Sequence, residues 1–203
     1  MNMKILGITG GVGCGKSTVL HYLEEAYGAF LIECDQVAKD LQEPGEVCWQ
    51  PMVDLFGKQI VRADQSIDRS AVAKMVFQNV DLREKLNAIV HPAVKERVHQ
   101  LIEAHADCPL IVIEAALLLD DNYDLICDEI WYIHADEPVR RQRLKSSRGY
   151  TDERITQMIR SQRTEESFRA LTTLTIDNSD ENVQNTFWQL DRELAMRGIR
   201  KRN

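Results

Sequence analysis

The stretch Gly10-Gly11-Val12-Gly13-Cys14-Gly15-Lys16-Ser17-Thr18 has the residue types and spacing to hold a triphosphate. It fits G-x-x-x-x-G-K-[ST]. The glycines let the backbone curl until several N–H groups converge, the lysine reaches β- and γ-phosphates, and the Ser17 hydroxyl can ligate Mg²⁺. The apolar run Met3-Lys4-Ile5-Leu6-Gly7-Ile8-Thr9 precedes it and the helical pattern Val19-Leu20-His21-Tyr22-Leu23 follows. A helix opening near Lys16 adds the positive end of its dipole. The rival dinucleotide fingerprint fails, because Lys16 stands where its third glycine belongs. Gly10, Gly11, Gly13, Cys14, Gly15, Lys16, Ser17 and Thr18 are therefore assigned to a nucleoside triphosphate.

Two carboxylates follow apolar, strand-like runs. Asp35 ends Phe30-Leu31-Ile32-Glu33-Cys34-Asp35. Beside a phosphate loop it could accept the proton of an attacking hydroxyl, and it could equally cap the next helix. Glu33 is a weaker rival, because strand alternation points it the other way. Glu114 ends Ile111-Val112-Ile113-Glu114. An acid at such a strand end holds Mg²⁺, directly or through water. The later Asp120-Asp121 reads as a solvated turn.

Positive charge concentrates between Arg140 and Arg169, with Arg141, Arg143, Lys145, Arg148, Arg154, Arg160 and Arg163 between them. A planar guanidinium fork suits phosphate oxygens, and Arg143 and Arg148 are the candidates for stabilising transferred charge. The other arginines read as surface charges or helix ion pairs with Glu153, Glu165 and Glu166. His91 precedes Pro92, which fixes a turn there. The Cys14 thiol has two readings: an inert small residue, or a thiol of lowered pKa at a helix N-terminus.

The elements that must position these groups read as α/β. Near-continuous apolar runs at 5–9, 30–33, 110–114 and 130–134, with a shorter one at 174–177, fit a parallel sheet covered on both faces. Helical patterns between them imply right-handed crossovers, with ligands at the strands' carboxyl ends. The expected fold is a three-layer P-loop NTPase fold with a mostly parallel five-stranded sheet. Residues 1–203 form one unit: a core of 1–34, 107–139 and 170–203, a helical substrate-binding insertion at 35–106, and an arginine-rich helical lid at 140–169. Helices are expected in the insertion at 36–41, 47–56, 69–77, 82–89 and 94–106, punctuated by Pro44-Gly45, Gly57 and His91-Pro92. In the lid, Asp136 with Pro138 starts a helix, Ser146 to Thr151 breaks it, and Thr151 caps another running to Ser161.

The length of 203 residues suits one domain, and 44% hydrophobic with 28% charged residues is ordinary for a globular protein. No apolar run approaches the ~20 residues that span a bilayer. A formal net charge of -7 disfavours nucleic acid as a partner. The five scattered cysteines include no C-x-x-C pair, which argues against a disulfide framework or structural zinc and fits a reducing cytoplasm. The C-terminal Arg197-Gly198-Ile199-Arg200-Lys201-Arg202 reads as a frayed, solvated tail. No N-K-x-D motif marks a GTPase, and no H-R-D or D-F-G set marks a protein kinase. A compact P-loop kinase for a small molecule remains.

With these residues assembled, the chain resembles the dephospho-CoA kinase family. The likeness runs through Asp35-Gln36-Val37-Ala38, Glu43-Pro44-Gly45, Phe56-Gly57, Ile67-Asp68-Arg69, Val76-Phe77, Ile89-Val90-His91-Pro92, Glu114 with Leu117-Leu118, Arg143-Leu144 and Ile176-Asp177-Asn178. It departs at Glu33-Cys34, at Ala116 before the Leu-Leu pair, and at Thr172-Thr173. The resemblance implies transfer of the ATP γ-phosphate to the ribose 3′-hydroxyl of dephospho-CoA with Mg²⁺. It implies Asp35 as base or hydroxyl-orienting group, acceptor binding by Asp35, Arg69, His91 and Leu118, and Arg143 and Arg148 in the lid. Asn178 would lie near the adenine. The expected protein is cytoplasmic, free of nucleic acid and membrane, and a monomer or weak homo-oligomer. Another small-molecule P-loop kinase, for a nucleoside or nucleotide, and a non-enzymatic ATP-binding regulatory subunit are the alternatives.

Overall fold

The computed structural model describes residues 3–115, 118–119 and 123–202. Ala116, Leu117 and the Asp120-Asp121 turn therefore lie outside the described residues. The chain divides into two compact units, Met1–Leu31 with His105–Asn203, and Ile32–Ala104.

The sheet has five strands in the order β2-β3-β1-β4-β5; β1, β3, β4 and β5 lie in the first unit, and β2 runs from its Phe30 and Leu31 into the second. Its strands are β1 Lys4–Thr9, β2 Phe30–Glu33, β3 Leu110–Glu114, β4 Glu129–His134 and β5 Leu174–Asp177. β1 runs parallel to both β3 and β4, and β4 runs parallel to β5. Alternation puts Leu6 and Ile8 of β1, Leu110 and Val112 of β3, Trp131 and Ile133 of β4, and Ile176 of β5 in one buried cluster. Helices α1 (Lys16–Tyr27) and α9 (Val183–Met196) close that cluster with Val19, Leu20, Leu23, Leu190 and Leu194. Burying each such side chain contributes about 1.5–3 kcal/mol, which holds β1, and the loop at its end, in the middle of the sheet.

The arginine-rich segment of this unit forms three helices, α6 Glu137–Arg148, α7 Asp152–Arg160 and α8 Glu165–Leu171. Pro138 stands in the first turn of α6, and Gly149 ends it in the left-handed conformation. The Thr151 hydroxyl accepts from the Arg154 amide at 3.3 Å, so the expected cap is present. Lys145 and Asp152 join α6 to α7 at 2.8 Å. The basic tail is not frayed. The Arg202 amide donates to the Ala26 carbonyl at 2.8 Å, and Lys201 pairs with Asp191 at 2.8 Å, so the tail lies along α1 and α9. Its charge, read as a solvation signal, is spent on helix-end carbonyls and a carboxylate.

The second unit holds α2 Cys34–Asp40, α3 Trp49–Phe56, α4 Arg69–Phe77 and α5 Val80–Ala104. The expected break at His91-Pro92 is absent: α5 is one helix with Pro92 inside it. An internal proline costs about 3 kcal/mol through a lost hydrogen bond and a ring clash. Packing of α5 on α2, α3 and α4, with Val94, Val98 and Ile102 buried, offsets that cost. The Cys48 thiol donates to the Ile89 carbonyl at 4.0 Å, in the turn that the proline disturbs.

Candidate active site

Strand order places the ends of β1, β3, β4 and β5 along one edge of the sheet. In the parallel register Ile8 stands opposite Glu114, so the loop leaving β1 begins beside that carboxylate. Lys16 Nζ donates to the Gly10 carbonyl at 2.8 Å and lies 3.6 Å from Glu114 Oε1. The ammonium thus spans the loop from its first glycine to the end of β3. Gly15 caps α1 with φ 89°, a conformation that costs a side-chain-bearing residue steric strain. A Cβ there would also run into the Asn178 amide. The amides of Gly13, Gly15 and Ser17 meet no acceptor among the described residues. Ser17 and Thr18 are exposed at the N-terminal turn of α1. Amides without an acceptor among the described residues, a helix N-terminus and a lysine together suit an anion.

Cys14 lies inside this loop but is 1% exposed, and burial pushes its thiol pKa up, against the lowering pull of Lys16 and Arg140. The reactive-thiol reading is therefore corrected: desolvation outweighs the positive surroundings. Asn178 is also buried. Its Nδ2 donates to the Cys14 carbonyl at 2.8 Å, and its Oδ1 accepts from Thr186 at 2.8 Å. That side-chain amide therefore holds the phosphate loop from the end of β5. Leu118 is fully buried, with its Cδ2 beside Gly7. It has no side-chain surface to offer an acceptor, and its contribution is packing beneath β1.

Of the two selected arginines, Arg143 lies beside the loop. A Cβ on Gly15 would stand 3.6 Å from Arg143 Nη1, a buried nitrogen with no hydrogen-bond partner among the described residues. Arg148 is the exposed last residue of α6. Arg140, expected to be a surface charge or a helix ion pair, turns to the loop, where its Nε donates to the Val12 carbonyl at 2.8 Å. Arg169 instead makes the expected helix pair, with Glu165 at 2.8 Å.

In the second unit Asp35 is exposed in the first turn of α2, where a carboxylate suits the helix dipole. Glu33, not Asp35, occupies the capping position, and no side chain caps there. Arg69 opens α4. Its Nη2 donates to the Lys39 carbonyl of α2 at 2.9 Å and to Glu43 at 2.8 Å. Asp68 caps the same helix, accepting from the Ser70 amide at 3.0 Å and the Ala71 amide at 3.1 Å. His91 is half-buried in the middle of α5.

Among the described residues, no helix is long and apolar enough to cross a membrane. A parallel sheet with a glycine loop, a lysine and a helix N-terminus at the end of its central strand defines a P-loop nucleotide-binding fold. The family model for dephospho-CoA kinase matches residues 4–184. A dephospho-CoA kinase of Oceanobacillus iheyensis is 33% identical over 192 residues, 94% of this chain and 96% of that one. A crystal structure from Thermus thermophilus, 26% identical, superposes with a TM-score of 0.82 over 97% of this chain and 98% of that one. A dephospho-CoA kinase from Campylobacter jejuni shares the fold at 17% identity, with a TM-score of 0.70 over 96% of this chain and 98% of that one. The chain belongs to the dephospho-CoA kinase family.

Proposed function

We propose that the chain transfers the γ-phosphoryl group of ATP to the ribose 3′-hydroxyl of dephospho-CoA, giving CoA and ADP. The observation that supports this reading is the Lys16 ammonium held between the Gly10 carbonyl and Glu114 at a glycine loop, in a member of the dephospho-CoA kinase family.

Phosphoryl transfer is mostly positioning and charge neutralisation. Lys16 and the loop amides would hold the β- and γ-phosphates. The acceptor oxygen bonds to the γ-phosphorus as the bond to the β,γ-bridging oxygen breaks, and Asp35 would take the hydroxyl proton. Arg143, with its unpaired buried nitrogen, would meet the charge spreading over the transferred group. Arg148 would join it as the lid closes and excludes water. Arg69 and His91 would bind the acceptor.

The Ser17 hydroxyl and the Glu114 carboxylate are hard oxygen donors and fit Mg²⁺ held mainly by substrate phosphates and water. Among the described residues no group of three or more His, Cys, Asp or Glu could cage a metal, which suits that mode of binding. Mg²⁺ bound there would neutralise charge on the β- and γ-oxygens. An acidic chain of net charge -7 fits a soluble, cytoplasmic enzyme of small molecules, a monomer or weak homo-oligomer without a nucleic-acid partner.

The test is a phosphoryl-transfer assay with ATP and Mg²⁺ against dephospho-CoA, nucleosides and nucleoside monophosphates. Turnover with dephospho-CoA, abolished by removing Mg²⁺, is expected. Turnover confined to a nucleoside monophosphate overturns the reading.

A further inference from the structure

The backbone of Val12, inside the phosphate loop, is held at both its polar groups by side chains that the motif does not contain. Its carbonyl accepts from Arg140 Nε at 2.8 Å. Its amide donates to Gln162 Oε1 at 2.9 Å. The two side chains also meet, because Arg140 Nη2 donates to the same Gln162 oxygen at 3.1 Å. One amide oxygen thus gathers a backbone donor and a guanidinium donor. The approach is close: a Cβ on Gly11 would stand 2.6 Å from Arg140 Nη2, so a side chain there would push the guanidinium aside.

The two residues come from separate places. Arg140 lies in the first turns of α6, and Gln162 in the link between α7 and α8. The loop they grip is glycine-rich, so its unfixed conformational freedom is large. An anion cradle works only if its amides converge before the ligand arrives, because ordering them at the moment of binding subtracts from affinity. Val12 is the non-glycine residue between Gly11 and Gly13, and fixing both of its polar groups fixes the peptides on either side.

We propose that Arg140 and Gln162 are positioning residues for the nucleotide. Together they hold the Val12 backbone so that the loop presents the amides of Gly13, Gly15 and Ser17, which have no acceptor among the described residues, to the phosphates, and they anchor the arginine-rich helices to the loop. This inference rests on reading the loop as the ATP site and is independent of which acceptor is phosphorylated.

Equilibrium binding of a non-hydrolysable ATP analogue to the full chain, measured by calorimetry without acceptor, tests it. Gln162→Leu keeps the shape and removes the acceptor oxygen. Its dissociation constant should rise about tenfold, the scale of one buried hydrogen bond left unmade. Gln162→Glu keeps an oxygen for both donors and should bind near the wild-type value. In steady-state assays the KM for ATP should rise in Gln162→Leu while the KM for the acceptor stays put, a split that general loosening of the fold does not produce. Wild-type affinity in Gln162→Leu overturns the proposal, and so do equal losses in the Leu and Glu variants. If circular dichroism shows that Gln162→Leu does not fold, Arg140→Lys takes its place, since an ammonium lacks the fork that reaches both acceptors. Unchanged nucleotide affinity in Arg140→Lys overturns the proposal equally. A wild-type chain that binds the analogue yet leaves dephospho-CoA untouched refutes the proposed acceptor and leaves the positioning roles standing.

Discussion

Asn178 Nδ2 donates to the carbonyl of Cys14 at 2.8 Å, so a residue just past β5 holds the middle of the phosphate loop from below. The same asparagine is itself fixed twice. Its backbone amide donates to the His134 carbonyl at the end of β4 at 2.8 Å, and its Oδ1 accepts from Thr186 of α9 at 2.8 Å. Two strand ends and a helix thus converge on the loop's geometry.

Asn178→Asp tests that relationship with almost no change of shape. The substitution replaces the donor facing Cys14 with an acceptor and buries a carboxylate in a pocket 3% exposed. Loss of about 1–3 kcal/mol in urea denaturation is expected, from the unmade hydrogen bond and a repelled carbonyl. The KM for ATP should rise with it. An unchanged denaturation midpoint would show that the bond carries no net stability.

The frame around this site was legible because parallel strands, buried on both faces, are written as apolar runs. The runs at 30–33, 110–114 and 174–177 coincide with β2, β3 and β5 residue for residue. The cradle was legible because Lys16, Ser17 and the glycines are local in sequence. Contacts between distant segments were not. Charge density alone does not say which of the arginines between 140 and 169 turns to the loop, and Arg140 reaches Val12 across 128 positions. Asn178 is likewise assigned its place only by β5 pairing with β4. Pro92 misled for a different reason: its local preference to end a helix is real, and the packing of α5 on its neighbours overrides it.

Asp35→Asn separates proton transfer from binding. The amide keeps the shape of an exposed residue in the first turn of α2 but cannot accept the acceptor's proton. A fall in kcat of ~10²-fold or more is expected, the scale of general-base loss, with ATP affinity intact. Turnover near the wild-type rate would remove Asp35 from the mechanism.

Cys14 should resist alkylation in the native chain. Its thiol is 1% exposed and burial raises its pKa, so little thiolate is present near neutral pH. Mass mapping after iodoacetamide treatment at pH 7.5 (roughly one unit below the free-thiol value) should find Cys108, which is partly exposed, modified before Cys14. Denaturant should abolish the difference. Rapid native labelling of Cys14, blocked by ATP, would restore the reactive reading.

The pair Glu129 and Arg197 gives acid stability a specific source. Arg197 Nε donates to Glu129 Oε1 at 2.8 Å and Nη2 lies 2.8 Å from Oε2, while Trp131 Nε1 donates to Oε2 at 3.0 Å. The Arg197 hydrogen bonds, with smaller help from Trp131 and Lys4, hold the Glu129 carboxyl below its usual range. Because its pKa is lower folded than unfolded, its contribution is complete above the unfolded value of about 4.3 and is lost as pH falls through the folded value. Glu129→Gln should therefore lower stability at pH 7 by about 1–3 kcal/mol. Arg197 keeps Glu193 at 2.9 Å, so the variant does not strand its guanidinium. Thermal melts of wild type and variant should differ most at neutral pH and converge as the pH drops below about 4. A gap that holds constant or widens towards pH 3 would mean that the Glu129 charge is not what stabilises the fold.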